Sequence, residues 1–75
     1  MEWVKVKYLR TRDVFVDGRR SGETNLVLIV SRGTHRFELG TPPDYAPRKR
    51  DVQVTGTSAL APLEIDFAPT GAAPS

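Results

Sequence analysis

Apolar and polar residues alternate one by one along much of this chain, and nowhere do apolar residues recur at the i, i+3, i+4, i+7 spacing of a helix. In Trp3-Val4-Lys5-Val6-Lys7-Tyr8, Val4, Val6 and Tyr8 point one way and Lys5 and Lys7 the other, as in a half-buried strand. Val14-Phe15-Val16 reads as a second strand, closed by Asp17-Gly18. An Asp-Gly pair is a strong hairpin signal, because the tight turn needs positive φ and glycine supplies it without steric cost. Ser21-Gly22 is a second turn signal, and Leu26 to Val30 is a third strand ended by Ser31-Arg32-Gly33. Thr34 to Leu39 alternates again, with His35, Phe37 and Leu39 inward and Arg36 and Glu38 outward. Gly40 to Pro47 is a loop with three prolines, none suited to a central strand. Arg48 to Thr55 and Leu63 to Phe67 are the last strands, with Val52, Val54, Leu63, Ile65 and Phe67 inward. The pattern predicts an all-β fold: a small antiparallel β-sandwich or small barrel of about six to seven short strands.

Seventy-five residues make one domain at most. A chain this short buries only about 60% of its unfolded surface, enough for one thin core but not for a core and a deep ligand cavity. Residues 1–67 form that domain, and the Pro-, Gly- and Ala-rich residues 68–75 read as a flexible tail. There is no cysteine, so disulfides and thiolate metal sites are excluded. No apolar run approaches the roughly 20 residues of a membrane helix. The start, Met1-Glu2-Trp3-Val4-Lys5, lacks the features of a signal peptide, so a soluble, cytoplasmic protein is expected from the chain as written.

The order of elements from Val14 to Phe67 resembles the PEGA family. Val14-Phe15-Val16-Asp17-Gly18 resembles its opening strand and turn, and Gly22-Glu23-Thr24 the Gly-x-Thr that follows. Leu26-Val27-Leu28 with Arg32-Gly33-Thr34-His35 resembles its strand, turn and Gly-x-His step. Asp44-Tyr45-Ala46-Pro47 resembles its Gly-Tyr-x-Pro corner, and Asp51-Val52-Gln53-Val54 and Leu63 to Phe67 its final strands. Asn25 stands where the family often has Pro, and Asp44 where it often has Gly. The resemblance implies an immunoglobulin-like accessory module of bacterial surface, envelope and signalling proteins, without a catalytic site.

Little in the chain points to chemistry. His35 is the sole histidine, and a metal site needs several converging ligands, so His35 reads as a hydrogen-bonded structural residue at a strand start. Ser21, Ser31 and Thr34 sit in no nucleophile motif. No phosphate loop or dinucleotide fingerprint is present. No enzyme activity, metal or cofactor is expected. Asp17 is expected to cap its own turn, and Tyr45 to pack at the sandwich edge with its hydroxyl bonded to backbone.

Binding remains. If Leu26, Leu28 and Val30 face inward, Val27 and Ile29 face outward, where an antiparallel sheet is normally polar. Phe15 and Trp3 join them as outward apolar residues, so Trp3, Phe15, Val27 and Ile29 are the candidate contact set. The partner would be another protein chain or a second copy, held by this face or by an edge strand. The alternative is an anionic polymer or nucleic acid bound by Arg19, Arg20, Arg32, Arg48 and Arg50. All eleven basic residues lie in residues 1–50 against six acids, while residues 51–75 hold three acids and no base. Period two splits Arg48-Lys49-Arg50 across two faces, which better suits an edge strand guarded by charge. Fold analogy adds a third reading, carbohydrate or cell-envelope binding through Trp3, Tyr8 or Tyr45.

Overall fold

The computed structural model describes residues 1–42 and 44–70. These form nine strands and no helix: β1 (Glu2–Lys7), β2 (Asp13–Val16), β3 (Arg19–Glu23), β4 (Val27–Val30), β5 (Gly33–Glu38), β6 (Tyr45–Ala46), β7 (Arg50–Val54), β8 (Leu63–Asp66) and β9 (Ala68–Pro69). One sheet runs β4-β1-β8, a second β3-β2-β5-β7, and β6 and β9 pair at the side. The fold is all-β, as the alternation predicts. Pairing is antiparallel except between β1 and β8, which run parallel because the chain leaves the first sheet after β4 and returns to it from the second.

Every second residue builds the core. Val4, Val6 and Tyr8, with Leu28, Val30, Ile65 and Phe67, meet Val14, Val16, Phe37, Leu39, Tyr45 and Val54. The two sheets approach closely at Gly22 of β3. A Cβ there would stand 2.0 Å from Leu28 Cδ2, so only glycine lets that leucine reach across.

The β2–β3 hairpin turns on Asp17 (φ 54°) and Gly18 (φ 85°), both left-handed as a two-residue turn requires. Its second strand was not apparent from Arg-Arg-Ser-Gly-Glu, which has no apolar alternation. The hairpin imposes the pairing, and Ser21, read as a turn, is an extra residue between Arg20 and Gly22 in the register with Phe15 and Val14. Leu26, expected inward, is 57% exposed, because β4 begins only at Val27. Ala68 and Pro69, expected in the tail, pair with Ala46 and Tyr45 as β9. Residues 71–75 lie outside the described residues.

Thr24 and Asn25 carry the chain from one sheet to the other. Buried Thr24 Oγ1 accepts from Arg12 N–H at 2.9 Å and donates to Arg10 C=O at 2.8 Å, while Thr24 N–H reaches Arg12 C=O at 2.9 Å. Asn25, at φ 66°, donates its N–H to Val6 C=O at 2.6 Å. Its side-chain amide accepts from Tyr8 N–H at 3.2 Å and donates to Tyr8 C=O at 3.0 Å, so it extends β4 by one rung. Proline, with φ fixed near −65°, no N–H and no side-chain amide, could make none of these three bonds. Thr24→Val keeps the shape and removes the hydroxyl. We expect it to cost about 1–3 kcal/mol, since Arg12 N–H and Arg10 C=O each lose a partner. Urea unfolding checks this, with Thr24→Ser retaining most of the stability.

Candidate functional site

The outer face of the three-stranded sheet divides in two. Trp3 of β1 pairs with Ile29, and Lys5 with Val27. On the other flank Lys5 and Lys7 pair with Glu64 and Asp66, and Lys7 Nζ lies 3.6 Å from Glu64. One half is therefore ionic and the other apolar. Val27 is 46% and Ile29 57% exposed, whereas Trp3 is half-buried. The described part of the tail does not cover them, since β9 pairs with β6.

Backbone polarity follows from the bonds beside β1. Trp3 N–H donates to Thr57 Oγ1 at 2.7 Å and Lys7 C=O accepts from Phe67 N–H at 3.0 Å, so Trp3, Lys5 and Lys7 turn their amides away from β4. Antiparallel pairs alternate between bonded and unbonded, so Trp3–Ile29 and Lys5–Val27 are the unbonded pairs. The N–H and C=O groups of Val27 and Ile29 then point to the open edge of β4. Two residues present both the apolar side chains and the free backbone.

Phe15, the fourth member of the expected contact set, does not share this face. It lies in β2 of the other sheet, where its ring packs over Gly40; a Cβ there would sit 2.7 Å from Phe15 Cε1. Around it the charges pair among themselves: Arg20 with Asp13 (3.0 Å) and Glu23 (3.7 Å), and Arg36 with Asp51 (3.4 Å).

The arginine set is dispersed. Arg19 and Arg20 lie in β3 and Arg50 in β7, the opposite edges of a four-stranded sheet, roughly 14 Å apart at the usual strand spacing. Arg48 precedes β7, which begins at Arg50 rather than at the expected Arg48. Arg32 reaches Glu2 at 3.7 Å, and Arg50 donates to Asp66 C=O at 3.4 Å. Glu2 also accepts from Thr57 N–H and Oγ1, and these bonds, with Arg32, hold its carboxyl below the usual carboxylate range.

Tyr8 and Tyr45 are buried, so they present no open platform for a sugar. They flank Arg12. The Arg12 guanidinium sits 5.8 Å from the Tyr8 ring centre and 5.6 Å from that of Tyr45, within cation–π range. It donates to Asp44 Oδ1 and to Pro42 C=O, both at 2.7 Å, and it lowers the Asp44 pKa. Tyr45 Oη accepts from Leu39 N–H at 3.1 Å, the backbone bond expected of this tyrosine. Arg12 also borders a shallow depression of about 390 Å³ with Phe15, Leu39 and Gly40, whose rim carries both Arg12 and the acids Asp13 and Glu23.

No family model matches the chain, and no curated protein or solved structure matches it.

His35 is the remaining candidate. Asp17 does not cap its own turn. It spans to β5, where Oδ1 accepts from Arg36 N–H at 2.9 Å and Oδ2 faces His35 Nδ1 at 2.6 Å. His35 Nε2 lies 2.7 Å from Ser31 C=O and 3.3 Å from Ser31 Oγ. Carboxylate, imidazole and hydroxyl thus follow one another in the order of a nucleophilic triad. A general base, however, needs a lone pair on Nε2, and the carbonyl at 2.7 Å calls for an N–H there. Acceptors beside both nitrogens favour the protonated ring, so Asp17 raises the His35 pKa and His35 lowers that of Asp17. Among the described residues, no three metal-ligating side chains cluster.

The sign of the pH dependence follows. The raised His35 pKa stabilises the fold below about pH 6.5, and this stabilisation is lost as pH rises through the folded value. The lowered Asp17 pKa acts above about pH 4 and fails as pH falls through its folded value. We expect the pair to contribute most between roughly pH 4 and 6.5. Thermal unfolding of wild type should then weaken from mildly acidic to mildly basic pH relative to His35→Gln. Since this is the sole histidine, an unshifted imidazole titration by NMR would contradict the pairing.

Proposed function

We propose that this chain is a PEGA-like, non-catalytic protein-interaction module that docks through β4, using the apolar half of the outer sheet face and the adjoining edge. One observation carries the reading: Val27 and Ile29 remain 46% and 57% exposed, side by side on an outermost strand that contains no charged residue. Isolated apolar residues on a surface are ordinary, but here Leu26, Val27 and Ile29 fall within four consecutive positions. Trp3 adds an aromatic neighbour in the register. The described charges favour this reading over an anionic partner, because Arg20, Arg32 and Arg36 face acids.

Ile29→Asp is the test. Its side chain is exposed, so we expect stability to change by less than about 1 kcal/mol. Affinity for a purified partner should fall at least about tenfold, as for a central contact residue. Binding should respond weakly to added salt, measured by titration calorimetry at two ionic strengths. Full affinity in Ile29→Asp, or a steep loss of wild-type affinity with salt, would count against docking at β4.

A further inference from the structure

The four edges of the two main sheets are not alike. β3 carries an extra residue at Ser21 and two arginines. β7 carries Arg50 and Asp51, and β8 carries Glu64 and Asp66 and is preceded by Pro62. Charges, prolines and irregularities of this kind discourage a foreign strand from pairing. β4 has none of them: Val27-Leu28-Ile29-Val30 is uncharged, lacks proline and keeps an unbroken register with β1.

We propose that β4 pairs antiparallel with β4 of a second copy about a two-fold axis through Leu28. The inference rests on the docking reading above and names its partner. In this register Val27 of one copy stands opposite Ile29 of the other, and Ile29 opposite Val27. Both residues direct their N–H and C=O to the open edge, so each of the two pairs exchanges two hydrogen bonds and all four outward groups are satisfied. The alternation of faces agrees with the axis. Directly opposed residues in an antiparallel pair share a face, so Val27 and Ile29 lie together on the outer side and the two Leu28 side chains on the core side. Each row of the joined sheet reads Trp3, Ile29, Val27, Lys5, the last two from the second copy.

Charge permits the approach. The two Lys5 residues end different rows, separated by three strand spacings, roughly 14 Å, which exceeds the Debye length of about 8 Å at physiological salt. Leu26, exposed here, falls opposite Val30 of the second copy. The paired stretch is short, five residues a side against roughly 20–30 in an interface of standard size. Association through so short a stretch belongs with weak, transient contacts and depends on concentration.

Sedimentation velocity and amide exchange of the full chain, from micromolar to millimolar concentration, test the pairing. We expect a monomer–dimer equilibrium in which the Val27 and Ile29 amides gain at least tenfold protection as the dimer fills, while those of Leu28 and Val30 are protected throughout. Val27→Pro removes an N–H that makes no bond to β1 and should abolish the dimer with little change in the unfolding midpoint. If that variant loses stability, Ile29→Asp supplies the same disruption from the side chain. A dimer that survives both substitutions, or forms without protecting Val27 and Ile29, overturns the inference. A wild-type monomer at every concentration, with a partner lost on Ile29→Asp, overturns the pairing and leaves docking at β4 standing. A monomer whose partner binding ignores Ile29→Asp overturns both.

Discussion

Between Glu23 and Val27 the chain leaves one sheet and enters the other, and side chains at that corner do the work of backbone. Thr24 bonds both Arg10 and Arg12 through a single hydroxyl. The Asn25 amide binds the N–H and C=O of Tyr8 as a neighbouring strand would. These contacts fix where β4 begins against β1. Strand side chains alternate with period two, so a slip of one residue would put Val27 and Ile29 in the core and Leu28 and Val30 outside. Gly22 adds a second constraint, since Leu28 fits across it only in the observed register. The apolar outer patch is thus a consequence of the corner that closes the sandwich.

A domain of this size has little stability to spare. Its buried polar groups are accordingly paired, and no buried side-chain nitrogen or oxygen among the described residues lacks a partner. Arg12 shows how. Its side chain is only 12% exposed, and it is held by Asp44, a backbone carbonyl and two tyrosine rings. Removing Asp44 would leave the Arg12 cation poorly solvated, which costs more than the pair itself contributes. The Asp17–His35 pair is similar in kind. It resembles part of a catalytic array, but the carbonyl of Ser31 takes the nitrogen that proton transfer would need. Its physical effect is to tie the β2–β3 turn to β5.

Much of the fold was legible because burial at every second position leaves its mark on composition. Val4, Val6, Tyr8, Phe37, Leu39, Ile65 and Phe67 are inward in the sequence and buried in the structure. The Asp17-Gly18 turn was legible because few residue pairs tolerate two positive φ values in succession. β3 was not, since it is recruited by its hairpin partner and contributes no apolar face of its own. Arg12 was not, since the ion pair with Asp44 spans 32 positions and leaves no local pattern. Alternation also states which side of a sheet a residue takes but not which sheet. Phe15 has the outward parity of Val27 and Ile29, yet it belongs to the opposite layer and is spent on Gly40.

That distinction decides how the surface can be read. The outer face of the four-stranded sheet is polar and pairs its charges internally, so a ligand there would have to displace existing ion pairs. Exposed ion pairs of this sort contribute little and are screened by salt, which makes the face permissive but unselective. At β4 the situation is reversed. Water can solvate the free amides of Val27 and Ile29, but not their side chains, and a partner strand satisfies both at once. A polar substitution would remove the apolar surface and retain the edge; a proline would remove part of the edge and retain the surface. Neither feature alone distinguishes β4 from other strands. Their coincidence on two residues, fixed by the register with β1, is what singles it out.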